Sequence, residues 1–170
     1  VGNVMVAASF IAYIGPFNSD YRQRLIVDQW VPDLCGREIP LSEETDPLAM
    51  PCDDAQVAAW KGQGLPADRI SVENAAILSN CSRWPRLIDP QAQGVRWLKQ
   101  RGAAAGMLAV QESQAGYLGK VQQAMEEGLS LLLENVGEAF DAVLEPVLSR
   151  ATFRKGRKVL LELGPRSPPN

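Results

Sequence analysis

Histidine is absent from this chain of 170 residues. No Ser-His or Cys-His catalytic pair can be assembled, and no imidazole is available to a metal. Cysteine is scarce: Cys35, Cys52 and Cys81 are an odd number, and no two stand at C-x-x-C spacing. That pattern argues against a zinc site or a disulfide framework, and free thiols in a reducing compartment are expected. An excess of either charge is also missing, with 17 basic and 20 acidic residues and a formal net charge of -3. The balance gives no basic footprint for nucleic acid or for an anionic membrane. Basic residues gather only in Arg154-Lys155-Gly156-Arg157-Lys158, which reads as a solvated turn. No signal peptide is read: the apolar run from Val4 to Ile14 lacks a basic leader. It is also shorter than the roughly 20 residues that span a bilayer.

What the chain does have is apolar substance. Hydrophobic residues make up 46%, enough for a packed core. A single domain of this length buries roughly 70% of its unfolded surface. The chain starts on Val1 and ends Gly164-Pro165-Arg166-Ser167-Pro168-Pro169-Asn170, and both ends look cut from something longer.

Hydrophobic spacing predicts a helix over Val4 to Tyr13, apolar on nearly all faces and therefore wanting burial on several sides. Asn18-Ser19-Asp20 caps a second, from about Tyr21 to Leu34, with Ile26, Trp30 and Leu34 on one stripe. Residues 36–54, with Pro40, Pro47 and Pro51, read as a loop. Short helices follow from Ala55 to Gly62 and from Ser71 to Asn80. Pro85 to Ile88 then reads as a buried strand, Asp89 to Gln93 as a loop and Gly94 to Arg101 as a helix. Gly106 to Gln111 and Leu129 to Leu133 read as two more apolar strands, separated by a helix from Tyr117 to Glu127. A helix from Phe140 to Leu148, a turn over Arg154 to Arg157 and a strand from Val159 to Leu163 complete the pattern. Strands alternating with helices imply an α/β layer with a parallel sheet flanked by helices, preceded by an N-terminal helical segment. Trp30, Trp60, Trp84 and Trp97 are dispersed, without basic interleaving, and read as core or subunit-contact residues.

The segment from Leu87 to Arg96 runs from strand through loop into helix, where a phosphate-binding loop sits in a P-loop protein. Such a loop needs glycines to let backbone N–H groups close round phosphate oxygens. It also needs a Lys for the outer phosphates and a Ser or Thr for Mg²⁺. Laid on G-x-x-x-x-G-K-[ST], Asp89 takes the first glycine position, Pro90 and Gln91 follow it, and Gly94 keeps the second glycine. Val95 stands in place of the Lys and Arg96 in place of the hydroxyl residue. Each change disfavours Mg-ATP, although Arg can still bind phosphate in another geometry. Taken alone, the pattern also fits an ordinary strand-turn-helix. About 45 residues on, Leu129-Ser130-Leu131-Leu132-Leu133-Glu134-Asn135 is an apolar strand with a polar end. In a Walker B strand, one acid helps hold Mg²⁺ and the next positions the attacking water. Glu134 suits the first role, and Asn135 cannot act as a base in the second. No catalytic residue and no metal-ligand set is expected.

Arg83-Trp84-Pro85-Arg86-Leu87-Ile88-Asp89-Pro90-Gln91-Ala92-Gln93 resembles the R-W-P-L-M-I-D-P-Q-x-Q stretch of dynein heavy chains. Leu132-Leu133-Glu134-Asn135-Val136-Gly137-Glu138 and Leu144-Glu145-Pro146-Val147-Leu148 resemble their L-I-E-N-V-G-E and L-E-P-x-L stretches. Ala12 to Phe17, Tyr21-Arg22-Gln23, Gly64-Leu65-Pro66, Ser71-Val72-Glu73-Asn74 and Arg154-Lys155-Gly156-Arg157 fit the same family, and Val6-Ala7-Ala8-Ser9-Phe10 with Gly15-Pro16-Phe17 leans toward its axonemal branch. The resemblance implies the fifth of six AAA+ modules in the motor ring, just after the stalk, regarded as structural and without productive nucleotide turnover. It implies an incomplete AAA+ (P-loop NTPase-like) sheet with exposed edges, because the family's strand order is 5-1-4-3-2 and strand four is not in the sequence. The implied organisation is a helical lead-in over 1–62, a partial AAA+ large subdomain over 63–163 and a disordered tail over 164–170. ATP and Mg²⁺ belong to the parent motor. Its implied partners are the neighbouring AAA+ modules and stalk, intermediate and light chains, and the microtubule, with no nucleic acid and no membrane. The implied location is the cytoplasm and cytoskeleton, and the cilium axoneme. The alternative is a regulatory site that binds nucleotide through Arg96 and the helix start at Gly94 without hydrolysing it.

Overall fold

The computed structural model describes residues 1–161 and 163. Contacts divide the chain into two compact units, Val1–Arg101 and from Gly102 onward. No helix among the described residues is long and apolar enough to cross a membrane.

The first unit is helical. Helix α1 (Gly2–Tyr13) buries Val6 and Phe10 on a four-residue spacing that continues into Ile14. Its other faces stay open, with Val4 half exposed and Tyr13 more so, so the expected burial on several sides is met on one side only. Helix α2 (Ser19–Arg24) starts at Asn18, whose side chain accepts from the Tyr21 N–H at 2.9 Å. The predicted helix over 21–34 continues through a π-helical stretch, Leu25–Trp30, into α3 (Val31–Gly36). Pro32 gives the reason: it has no N–H to return to the preceding turn, and its ring crowds the carbonyl four residues back. The Val31 N–H instead reaches five residues back, to the Ile26 carbonyl.

Helices α4 (Asp54–Gly62) and α5 (Arg69–Asn80) start on Asp53 and Asp68, whose carboxylates accept from the Gln56 and Ser71 N–H groups. Helix α6 (Gln93–Ala103) supplies the last residues of this unit, through Arg101. Trp60 and Trp97 meet edge-to-face at 6.0 Å in the core, beside Val72, Ala75 and Ala76. Trp84, by contrast, is exposed.

One buried polar cluster ties α2 to α5. The Arg22 guanidinium is 3% exposed. It donates to Glu73 at 2.9 Å, to Asn74 at 2.7 Å and to the Phe17 and Gly15 carbonyls at 2.8 and 3.0 Å. The second Glu73 oxygen accepts from Arg69, which also reaches Asp46.

The predicted strand over Pro85–Ile88 does not form. The segment carries no strand assignment, and Ile88 is 85% exposed rather than buried. A strand needs a hydrogen-bonded neighbour, which local apolarity cannot supply, and Pro85 also removes one ladder donor.

The second unit holds the sheet. Strands β1 (Leu108–Gln111) and β2 (Leu131–Glu134) pair in parallel, with Leu108 opposite Leu131 and Gln111 opposite Glu134. Helix α7 (Tyr117–Glu127) links them and ends at Gly128, whose φ of 68° suits a left-handed cap that costs a glycine little. Tyr117, Val121 and Leu144 form the core here, with Leu133 packed against them. The predicted helix over Phe140–Leu148 starts later, as a 3-10 turn (Ala142–Leu144) leading into α8 (Glu145–Leu148). Asp141 caps it through the Val143 N–H, which leaves Phe140 outside and exposed.

The predicted turn over Arg154–Arg157 is tighter than expected. Strands β3 (Thr152–Lys155) and β4 (Lys158–Leu161) pair antiparallel around Gly156 and Arg157. Positive φ at Gly156 alone is the two-residue hairpin signature. Of the strand predicted to run to Leu163, Glu162 lies outside the described residues, as does the predicted tail over 164–170, and Leu163 is not in a strand.

The Tyr117 hydroxyl donates to the Asp141 carboxylate in a short hydrogen bond. That bond, with some burial, holds the phenol in its protonated form and pushes its pKa up to about 12 from 10.0. The same bond holds the Asp141 carboxyl below its ordinary value. A raised folded-state pKa means stability present below 10.0 and lost as pH rises toward about 12. Spectrophotometric titration is expected to find one phenol ionising near that upper value, and Asp141→Asn is expected to return it toward 10.0.

Candidate functional site

Residues 89–96 lie in the first unit, and Glu134 and Asn135 in the second. Pro90, Gln91 and Ala92 make a turn closed by the Ala92 N–H on the Asp89 carbonyl at 3.1 Å. Ala92 takes a left-handed φ of 54° to do so. The turn delivers the chain into the first turn of α6, where three N–H groups have no intrahelical acceptor of their own.

The Asp89 carboxylate sits on those donors. One oxygen accepts from the Gln93 N–H at 3.1 Å and the other from the Val95 N–H at 2.9 Å. A carboxylate there also complements the positive end of the helix dipole. Gly94 fits beneath it: a Cβ at that position would meet the Leu87 side chain at 3.0 Å and the Asp89 carboxylate at 3.3 Å. Glycine is therefore kept by close approach rather than by backbone conformation. Asp89→Ala is expected to cost about 0.5–2 kcal/mol, as a lost helix cap does, read as a lower denaturation midpoint.

Val95 is half-buried beside this contact, whereas Arg96 is exposed, its N–H on the Ala92 carbonyl at 3.2 Å. Pro90 and Gln91 are exposed on the turn. A cleft of about 170 Å³ adjoins the loop, lined by Leu65, Pro66 and Asn74 on one side and Leu87, Asp89 and Gly94 on the other. Sequence reading placed the loop but missed the cleft, because Leu65 and Asp89 are brought together only by the packing of α5 and α6.

In the second unit, Glu134 is the last residue of β2 and pairs in register with Gln111, the last residue of β1. Both stand at the carboxyl ends of parallel strands, where open α/β sheets place their ligands. Asn135 follows with φ 55° and is exposed. Burial pushes the Cys52 and Cys81 thiols above their usual value, and Cys35 is a free surface thiol. No cluster of potential metal ligands occurs among the described residues.

With this geometry in view, comparison with known proteins is specific. The family profile described as the ATP-binding dynein motor region matches residues 58–167. The chain is 43% identical over 164 residues to the dynein beta chain of the flagellar outer arm of Chlamydomonas reinhardtii, covering 96% of this chain and 4% of that one. It is 46% identical over 158 residues to dynein axonemal heavy chain 9 of Homo sapiens, covering 92% and 4%. Against the ciliary dynein beta chain of Tripneustes gratilla it is 44% identical over 160 residues, covering 93% and 4%. The chain thus spans about 4% of the length of these relatives.

Proposed function

Because the chain belongs to the dynein heavy chains, we propose that it is a structural AAA+ module of the motor ring, the fifth of six, with a degenerate nucleotide site. In this reading residues 1–62 are a helical lead-in after the stalk, and 63–163 are a partial AAA+ large subdomain. The small parallel sheet with flanking helices is that of a partial AAA+ α/β domain. The module transmits rearrangements driven by ATP hydrolysis elsewhere in the ring, through rigid packing against its neighbours. The parent is then a minus-end-directed microtubule motor, assembled with intermediate and light chains in the axoneme of a cilium. Those roles fit relatives named for the flagellum, the cilium and the axoneme.

The observation that carries this reading is the Asp89 carboxylate, which takes the Gln93 and Val95 N–H groups that a phosphate would need. A nucleotide phosphate would meet a like charge at its own seat, with Val95 in place of a cation and Arg96 in place of a Mg²⁺ ligand. Glu134 could still help hold a metal, but Asn135 offers no base beside it. The residues present do not suit Mg-ATP. Titrating the intact chain with ATP and Mg²⁺ tests this: no micromolar binding and no turnover are expected, and measurable turnover would overturn it.

One observation favours a second reading, a regulatory site without hydrolysis. The Arg96 side chain is exposed on the first turn of α6. If it held a phosphate there, Arg96→Ala would weaken nucleotide binding. Absence of any binding by the unsubstituted chain disposes of that reading.

A further inference from the structure

The β3–β4 hairpin has features that a solvated turn does not account for. Its cations Arg154, Lys155, Arg157 and Lys158 have no ion pair among the described residues. No acid stands between Glu145 and Glu162 in the sequence. In register, Lys155 is directly opposite Lys158, and Phe153 is opposite Leu160. Opposite residues share a face, as do alternate residues along a strand, so these side chains lie on one face. Like charges set opposite each other destabilise the pair. The apolar pair beside them is uncovered, with Phe153 47% and Leu160 36% exposed. Val159, on the other face, is 58% exposed. A two-stranded hairpin without a packed face is marginal in water, and a third strand is one remedy.

The register also tells which edge is open. In a hairpin closed by two residues, the pairs Lys155–Lys158 and Phe153–Leu160 exchange the ladder hydrogen bonds. The backbone groups of Thr152, Arg154, Val159 and Leu161 therefore point outward. On β3 the Thr152 N–H already donates to the Arg150 carbonyl at 2.9 Å. On β4 the outward groups of Val159 and Leu161 have no backbone partner among the described residues. Charge decides what kind of strand fits there. A second copy would bring its own cations to the same edge, and cations on an edge strand oppose such pairing. An acidic strand meets those cations and relieves the lysine pair.

We propose that the β4 edge docks an extended acidic segment of a partner protein by strand addition. Added antiparallel, the segment sets an apolar residue beside Leu160 and, two residues further on, a carboxylate beside Lys158. Acids that follow face Arg157 at the turn. Main-chain bonds supply the attachment, and the side chains supply the selectivity. This goes beyond the structural reading of the module, and its test is independent of ATP binding.

The test follows the Val159 and Leu161 amide resonances of the intact chain by NMR, with the peptide Thr-Val-Leu-Val-Glu-Asp-Glu-Glu as probe. Both amides are expected to shift and to gain protection from exchange, with a dissociation constant on the order of 100 µM at low ionic strength. Raising salt from about 0.05 M to about 0.5 M should weaken binding about tenfold. Lys155→Gln with Lys158→Gln should weaken it by a similar factor while leaving the hairpin paired, read from the cross-strand contacts of Phe153 and Leu160. Lys61→Gln with Lys120→Gln, the same loss of charge on exposed positions of α4 and α7, should leave it within about twofold. A peptide with Pro in place of its Leu should bind at least about tenfold more weakly, since it cannot donate to the ladder. No shift at about ten times the expected constant would overturn the proposal. So would equal binding of the Pro peptide, or binding that ignores the Lys155 and Lys158 substitutions. Equal shifts of the same amides with phosphatidylserine vesicles would point to a membrane surface instead and would overturn it as well.

Discussion

Arg22→Ala is expected to lower the unfolding free energy by about 3–5 kcal/mol, read as a fall in the urea midpoint at unchanged slope. The guanidinium holds four acceptors at once: Glu73, Asn74 and the carbonyls of Gly15 and Phe17. Removing it strands a Glu73 carboxylate that is 9% exposed and keeps only Arg69 as a partner. The loss is a desolvated charge left short of hydrogen bonds, not simply one ion pair, which is why it exceeds the roughly 0–1 kcal/mol of a surface pair. Arg37→Ala serves as the contrast, since its bond to Asp33 is exposed on both sides and should cost little. Arg22→Lys should recover only part of the loss, because an ammonium is a point charge and cannot reproduce the planar fork. Total stabilities of about 5–15 kcal/mol make the Ala variant one that can leave this unit largely unfolded.

Phe10→Ala is expected to cost a similar amount, about 3–5 kcal/mol, through a different mechanism. Phe10 is fully buried between Val6 and Ile14 on the inner face of α1 and packs in the cluster with Trp60 and Trp97. Truncation removes the transfer free energy of a ring and leaves a cavity that a close-packed interior fills only in part. Met5→Ala on the outer face of the same helix should change stability by less than about 0.5 kcal/mol, since Met5 is 43% exposed. Equal losses at both positions would show that the outer face of α1 is covered in solution.

These two residues also show what could be read from the chain and what could not. The α1 helix and its apolar spacing were legible, but which face would be buried was not, since Val4, Met5 and Phe10 look alike in a helix apolar all round. A helix start was legible where a capping side chain was recognised, as at Asn18. Helix α5 starts two residues before its expected position, because Asp68 caps it from what reads as a connecting turn. Arg22 and Glu73 each stand in strings that resemble the family, but their pairing spans 51 residues and leaves no local periodic signal. The strand expected at Pro85–Ile88 failed for a related reason, since pairing is a property of a neighbour and not of the segment.

The sequence pattern lays a phosphate loop over residues 89–96, with Val95 and Arg96 where a lysine and a hydroxyl residue would stand. What the sequence could not convey was that Asp89 would fold back onto the start of α6, accepting from the backbone of Gln93 and Val95. That contact changes the reading from a site lacking its cation to one whose donors are already engaged. It also explains why Gly94 is still needed in a loop that does not suit phosphate, since the carboxylate stands 3.3 Å from where its Cβ would be.

The most direct measurement is calorimetric titration of Mg-ATP into three forms of the intact chain: unsubstituted, Val95→Lys with Arg96→Thr, and that pair together with Asp89→Gly. If Asp89 occupies the phosphate seat, the first two forms show no micromolar binding and the third gains it. Micromolar binding by the unsubstituted chain, or by the pair as tightly as by the triple form, would contradict the account.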